Sequence, residues 1–129
     1  MTKRLEIVLM EHDSKERERT VSLLERYGFF VTPVSSGIGA LKVLFNQKPE
    51  LIICNIELPG INGFDILKTI KNNKRLRSTP LIMTARILEE DNIHKSKRLG
   101  AAAYIRIPST CTLLYAIKRS LNLEFLEAK

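Results

Sequence analysis

The chain lacks the features that would place it in a membrane, outside the cell or on a nucleic acid. No segment approaches the roughly 18 consecutive apolar residues of a membrane span. The apolar run Ile7–Met10, behind Lys3 and Arg4, is too short for the core of a signal peptide. Two cysteines in 129 residues make no disulfide framework. Cys54, inside an apolar run, and Cys111, near the start of a late helix, read as free buried thiols. A cytosolic protein is the expectation. Aromatics are only 6% of the chain and do not interleave with the basic residues, as they would in a platform for stacking bases. No linker, repeat or low-complexity segment breaks the sequence, and its length suits one domain with a single core.

Acids are also in short supply: 14 Asp and Glu face 21 Lys and Arg, for a net charge of +7. Such a balance can serve nucleic acid or an acidic partner. Here the charge is spread. Lys68, Lys71, Lys74, Arg75 and Arg77 gather around one helix end, while Arg86, Lys95, Lys97, Arg98, Arg106, Lys118 and Arg119 fall in the last third. An ordinary solvated face accounts for that pattern, and neither nucleic acid nor membrane is expected as a partner.

What the chain does have is a regular alternation of short apolar runs and amphipathic stretches. Leu5–Met10 predicts a first strand. Ser14 is suited to N-cap a helix whose apolar face is Val21, Leu23, Leu24 and Tyr27 and which Gly28 ends. Phe29–Val34 predicts a second strand, and Pro33, which cannot donate to a ladder, marks it as an edge. Ser36-Gly37 leads into a helix that buries Ala40, Leu41, Val43, Leu44 and Phe45, stopped by Pro49. Leu51–Cys54 predicts strand three, and Phe64, Ile66, Leu67 and Ile70 supply the stripe of the next helix. Strand four is Leu81–Met83, behind Pro80. Glu89–Leu99 is a polar helix with a thin apolar face, Ile93 and Leu99, ended by Gly100. Tyr104–Ile107, closed by Pro108, is strand five; Leu113, Leu114, Ala116, Ile117 and Leu121 mark the last helix. Five βα units imply an α/β fold with a parallel sheet covered on both faces. Right-handed crossovers with strand two at an edge favour a doubly wound, flavodoxin-like sandwich in the order 2-1-3-4-5.

Within that layout Asn55 stands at the carboxyl end of strand three, before the turn Leu58-Pro59-Gly60, where open α/β sheets place their chemistry. Strand-end sites commonly use a carboxylate as nucleophile or metal ligand. A neutral amide is poor at both.

The residues around it resemble a family. Ile7-Val8-Leu9-Met10-Glu11-His12-Asp13 resembles the first strand of response-regulator receiver domains, the CheY-like fold. The run from Pro49 through Asn55 to Phe64 resembles their phosphoacceptor strand and loop almost position by position. Leu99-Gly100-Ala101-Ala102-Ala103-Tyr104-Ile105-Arg106-Ile107-Pro108 resembles their fifth strand. The resemblance implies a receiver over residues 1–121 with a C-terminal tail at 122–129. It also implies a place in two-component signalling, with a site of five parts: a nucleophilic aspartate, two acids that hold Mg²⁺, a lysine, and a Ser or Thr that relays the change.

Position by position, the nucleophile falls at Asn55 and the acids at Glu11 and His12, the latter a softer ligand that suits Mg²⁺ poorly. The lysine falls at Ile107. The hydroxyl position is Ala85 when counted from Pro80 without a gap and Thr84 with a slip of one; the spacing to Gly100 favours Ala85. Tyr104 matches the aromatic that reports the switch, and it reads equally as a half-buried strand residue. Losing acids and lysine together leaves a pocket whose charge balances without metal. The expectation is therefore a degenerate receiver, not an enzyme, that needs no cofactor and works by binding protein. Residual Mg²⁺ at Glu11 and Glu57, an active receiver with atypical residues, and a small-molecule module stay open. The last has against it a first loop, Glu11-His12-Asp13-Ser14-Lys15, with no glycine to cradle phosphate. A softer metal at Glu11, His12 and Asp13 is disfavoured because consecutive side chains on an extended segment diverge. His94 reads as solvent-facing. The family's helix 4–strand 5–helix 5 face would carry Lys95, Arg98, Tyr104, Arg106, Lys118 and Arg119 here, for an acidic partner or a homodimer.

Overall fold

The computed structural model describes residues 4–129. Five parallel strands, β1 (Glu6–Met10), β2 (Phe30–Val34), β3 (Leu51–Asn55), β4 (Leu81–Ala85) and β5 (Ala103–Arg106), form one sheet in the order β2-β1-β3-β4-β5. The helices α1 (Ser14–Arg26), α2 (Gly37–Asn46), α3 (Gly63–Lys71), α4 (Glu90–Leu99) and α5 (Thr110–Ser120) alternate with them. The central strands β3 and β4 are buried along their whole length, which is why they read as unbroken apolar runs.

Side chains alternate between two cores. Val8, Met10, Ile52, Cys54 and Met83 pack under α2 and α3 with Leu44, Ile66, Leu67 and Ile70. Ile7, Leu9, Ile53, Ile82 and Ile105 pack under α1 and α5 with Leu24, Leu113 and Ile117. Short polar side chains start four of the helices. Asp13, Ser36, Asn62 and Ser109 accept the N–H of Glu16, Gly39, Asp65 and Thr112 respectively. Helix α4 has no such cap and ends on Gly100 in the left-handed region, φ 93°.

The structure departs from the sequence expectations in places. Asp13, not Ser14, caps α1, because its carboxylate reaches Glu16 N–H at 2.9 Å while Ser14 already lies in the helix. Phe45 does not face the core; it is 85% exposed. Helix α2 is apolar nearly all round, so its sequence could not say which face turns outward. Strands β3 and β4 each run further, to Asn55 and Ala85, while β5 stops before Ile107. Residues 122–129 form no helix or strand, yet Leu123 and Leu126 pack against the α1/α5 core.

Cys54 is buried, as expected, but Cys111 is exposed. Burial first, and then the charge of Glu11, push the Cys54 thiol far up from its usual range. A thiol reagent is therefore expected to titrate one of the two cysteines in the native protein and both after unfolding in guanidinium, read by absorbance and intact mass.

Candidate functional site

Strands are added to one side of β1 and then, from β3 onward, to the other, and the crevice beyond the carboxyl ends of β1 and β3 is where this topology presents ligands. Asn55 ends β3 and is 4% exposed; Glu11 follows β1 and is 3% exposed. A buried carboxylate must be matched by donors, and here two bonds do so while a third fixes the amide that makes one of them. Asn55 Nδ2 donates to Glu11 Oε1 at 2.9 Å. Asp13 N–H donates to Glu11 Oε2 at 2.9 Å. Asn55 Oδ1 accepts Glu57 N–H at 2.8 Å. The amide's orientation follows from its partners: a carboxylate only accepts and a backbone N–H only donates, so nitrogen faces Glu11 and oxygen faces Glu57.

Basic side chains grip the surrounding loop. The Arg17 guanidinium donates to the carbonyls of Glu11, at 2.8 Å, and His12, at 3.2 Å. Arg86, one residue beyond β4, reaches across to Asp13 Oδ2 at 3.2 Å. The N-cap bond from Glu16 N–H holds the Asp13 carboxyl below its usual range; burial opposes this, and Arg86 adds to it. That stabilisation is present above the unfolded carboxyl pKa and is lost as acidification passes the lower folded value. Gly63 lets α3 begin directly against the site. A Cβ there would lie 2.7 Å from the Asn55 carbonyl oxygen and 2.8 Å from Ile56 Cα.

Of the sequence-derived site residues, the structure joins Asn55 and Glu11 and separates His12. His12 is exposed and lines an open cleft of about 410 Å³ with Ile56, Glu57, Leu58, Pro59 and Asn62. Glu57 contributes its backbone N–H to the cluster while its residue is exposed. Ile107 is buried, its N–H bonded to the Ala85 carbonyl at 2.9 Å, and the Ile107–Pro108 bond is cis. Thr84 pairs in register with Asn55 and, by alternation, shares the sheet face of Ile82. Ala85 lies on the opposite face, that of Met83 and Tyr104. The Tyr104 hydroxyl is buried without a hydrogen bond of ordinary geometry. Burial raises its pKa; the nearby Asn92 side chain acts in the opposite direction, and the charges of Glu89 and Glu57 add to the rise.

On the α4–β5–α5 face, Lys95 sits over the Phe64 ring at 4.5 Å and Arg119 over Tyr115 at 5.9 Å, whereas Arg98 and Arg106 are exposed and Lys118 is half-buried. His94 lies in solvent, 3.6 Å from Glu90 one turn away. Reading along the chain misses Arg17 and Arg86. Neither belongs to the phosphoacceptor pattern, and Arg86 meets a residue 73 positions away.

The donors present do not fit Mg²⁺, a hard cation that wants several free oxygens. Both Glu11 oxygens and the Asn55 oxygen are already bonded within the chain. Among the described residues no group of three or more His, Cys, Asp and Glu could hold a metal. Among the same residues no helix is long and apolar enough to cross a membrane.

Five parallel strands in the order 2-1-3-4-5, alternating with five helices, are the flavodoxin-like fold of CheY-type domains. Residues 7–117 match the response regulator receiver domain, and the chain belongs to that family, the receivers of two-component signal transduction. Receivers of this family are in general signalling modules and not enzymes. The chain is 33% identical over 117 residues to the transcriptional regulatory protein GltR of Pseudomonas aeruginosa, covering 90% of this chain and 48% of that protein. It thus spans about half the length of that relative. Among solved structures, the receiver domain of a signal transduction histidine kinase from Syntrophus aciditrophicus superposes with a TM-score of 0.84 at 26% identity, covering 92% of this chain and 90% of that one. The receiver domain of the sensor histidine kinase PA1611 from Pseudomonas aeruginosa also superposes with a TM-score of 0.84, at 21% identity over 93% of this chain and 99% of that one. That domain was solved with a magnesium ion coordinated in its active site cleft. At that identity the likeness speaks for the fold.

Proposed function

We propose that this receiver has given up phosphoryl transfer and works as a protein-interaction module whose state is set by binding. The observation that carries the reading is the Asn55 side chain, bonded on one side to Glu11 and on the other to Glu57 N–H. Acceptance of a phosphoryl group needs a carboxylate oxygen to attack phosphorus, and metal to shield the incoming oxygens. An amide nitrogen has its lone pair in the carbonyl system, and here its N–H is engaged by Glu11. Ile107 offers no cation to pair with a phosphoryl group. Ala85, which the spacing favours for the switch position, has no hydroxyl to follow one; Thr84, the other candidate, is a buried strand residue in register with Asn55.

The domain then has no enzymatic activity and no cofactor, and Mg²⁺ binding at Glu11 and Glu57 is lost or weak. It acts in the cytoplasm as a unit over residues 1–121. Partner binding falls on the α4–β5–α5 face through Arg98, Arg106 and Arg119, with Lys95, Lys118 and Tyr104 beside them. A homodimer through that face is an alternative use of the same residues. Incubation with acetyl phosphate and Mg²⁺ is expected to leave the intact mass unchanged. Beryllofluoride with Mg²⁺ is expected to leave the amide resonances of Glu11, Asn55 and Glu57 in place. A phosphoryl adduct, or a shift confined to those amides, overturns the reading.

A further inference from the structure

Two acid-free segments carry basic side chains away from the Asn55 crevice and from the α4–β5–α5 face. Residues 37–49, which span α2, include Lys42 and Lys48 and no acid. Residues 66–80, which span most of α3 and its following loop, include five basic side chains, Lys68, Lys71, Lys74, Arg75 and Arg77, and again no acid. Between these two segments runs an apolar groove of about 180 Å³, walled by Leu41, Leu44, Ile70 and Leu76, with Arg75 at its edge. Phe45 stands on its rim, 85% exposed. Nothing in the fold needs an aromatic there, since it reaches neither core.

The loop that borders the groove is held in one shape. Asn73 Oδ1 accepts the N–H groups of Arg75 and Leu76, at 2.9 and 3.1 Å. The Arg77 N–H returns to the Asn73 carbonyl at 2.8 Å, and Lys71 Nζ donates to the Arg77 carbonyl at 3.2 Å. The Arg75 guanidinium reaches the Leu44 carbonyl, which ties the loop to α2. The basic rim is therefore ordered before any partner arrives, which lowers the entropic cost of binding.

We infer that the α2–α3 groove is a docking site for an acidic amphipathic protein segment. Such a segment would place an aliphatic side chain between Leu41, Leu44, Ile70 and Leu76, pack against Phe45, and set its carboxylates against Lys42, Lys74 and Arg75. Helix-in-groove recognition works in this way, with anchors on one face and charge on the rim. The groove is smaller than the roughly 300 Å³ of ordinary small-molecule sites. A nucleic-acid backbone has no apolar group to fill it, and a lone Phe45 offers no series of stacking faces. A lipid surface would engage the protruding Phe45 but leave the recessed slot unfilled. The site rests on the reading of this domain as a protein-interaction module, yet it lies on a different face from the α4–β5–α5 residues.

The test is a titration of the full chain, ¹⁵N-labelled, with a synthetic helical peptide carrying leucine at i, i+3 and i+7 and glutamate elsewhere on its surface. Amide shifts are expected over residues 41–45 and 69–76, with the α4–β5–α5 amides and Asn55 silent. Replacing the leucines by serine, at unchanged charge, is expected to weaken binding roughly tenfold or more, as loss of an anchor does. Phe45→Ser and Lys74→Glu alter exposed residues, leave folding intact, and are each expected to weaken binding several-fold. Absence of shifts at these residues overturns the inference, as does equal binding of the serine peptide. Tighter engagement of the same residues by a DNA duplex or by phosphatidylserine vesicles also overturns it. None of these outcomes bears on whether Asn55 accepts phosphate, which the acetyl phosphate experiment decides separately.

Discussion

Asn55→Asp is expected to destabilise the folded domain by about 2–4 kcal/mol at pH 7 without Mg²⁺, the range for an unmatched charge in a buried cluster. The substitution exchanges the Nδ2 donor, 2.9 Å from Glu11, for a carboxylate oxygen. Two carboxylates then face each other in a pocket where both residues are nearly inaccessible to water. Ile107 supplies no cation, and Arg86 is committed to Asp13. Such a pair retains one proton that lone carboxyls would have released. The sign follows from linkage: a carboxyl whose folded pKa is raised makes the folded state less stable at pH values above its unfolded pKa. The deficit should therefore shrink as pH falls toward about 4, the unfolded carboxyl range. Mg²⁺ should recover part of it at pH 7. Urea denaturation of both proteins at pH 4 and 7, with and without Mg²⁺, measures each arm. Equal stability of variant and parent at pH 7 without Mg²⁺ would show that the Asn55–Glu11 bond is not what balances the pocket.

Gly63→Ala is expected to be of similar size, about 3 kcal/mol, at the upper end of what overpacking usually costs. The added Cβ would meet backbone on both sides, the Asn55 carbonyl oxygen at 2.7 Å and Ile56 Cα at 2.8 Å. Neither is the free end of a flexible side chain, so the start of α3 or the end of β3 must move. For a domain of this size that corresponds to a drop of roughly 10 °C in melting temperature. The shift should also reach the site. Gly63 N–H bonds the Ile56 carbonyl at 3.0 Å, so displacing α3 tugs on the turn that sets Glu57 N–H against Asn55. Thermal melts give the first effect, and ¹⁵N shifts at Glu57 give the second.

The strand order was legible because its determinants are local and strong. Short apolar runs mark strands buried on both faces, and Pro33 marks β2 as an edge, which with right-handed crossovers leaves few topologies. Asp13 and Ser14 are both good N-caps, so composition alone could not choose between them; the reach of the Asp13 carboxylate to Glu16 N–H did. Phe45 and Cys111 were also misplaced. For Phe45 the apolar pattern of α2 leaves the outward face undecided, and Cys111, apolar by residue type, falls on the side of α5 away from Leu113, Ala116 and Ile117. The identity of the site residues followed from the resemblance, and their placement at strand ends from the α/β pattern. Their bonding did not follow. Nothing in Glu11 and Asn55, separated by 44 residues, says that one amide will take up the carboxylate and a backbone N–H at once. Arg86 is further still from legibility, since a lone arginine after a strand has many possible partners.

The closed chain from Asp13 N–H through Glu11 and Asn55 to Glu57 N–H has a consequence for signalling logic. Asp13 N–H, Asn55 Nδ2 and Glu57 N–H each donate to an acceptor within the protein itself. A pocket whose Asn55 takes no phosphoryl group has one covalent form, so under the proposed function it cannot store the record of an upstream event. What such a domain conveys is occupancy: how much of it is present and which partner it holds.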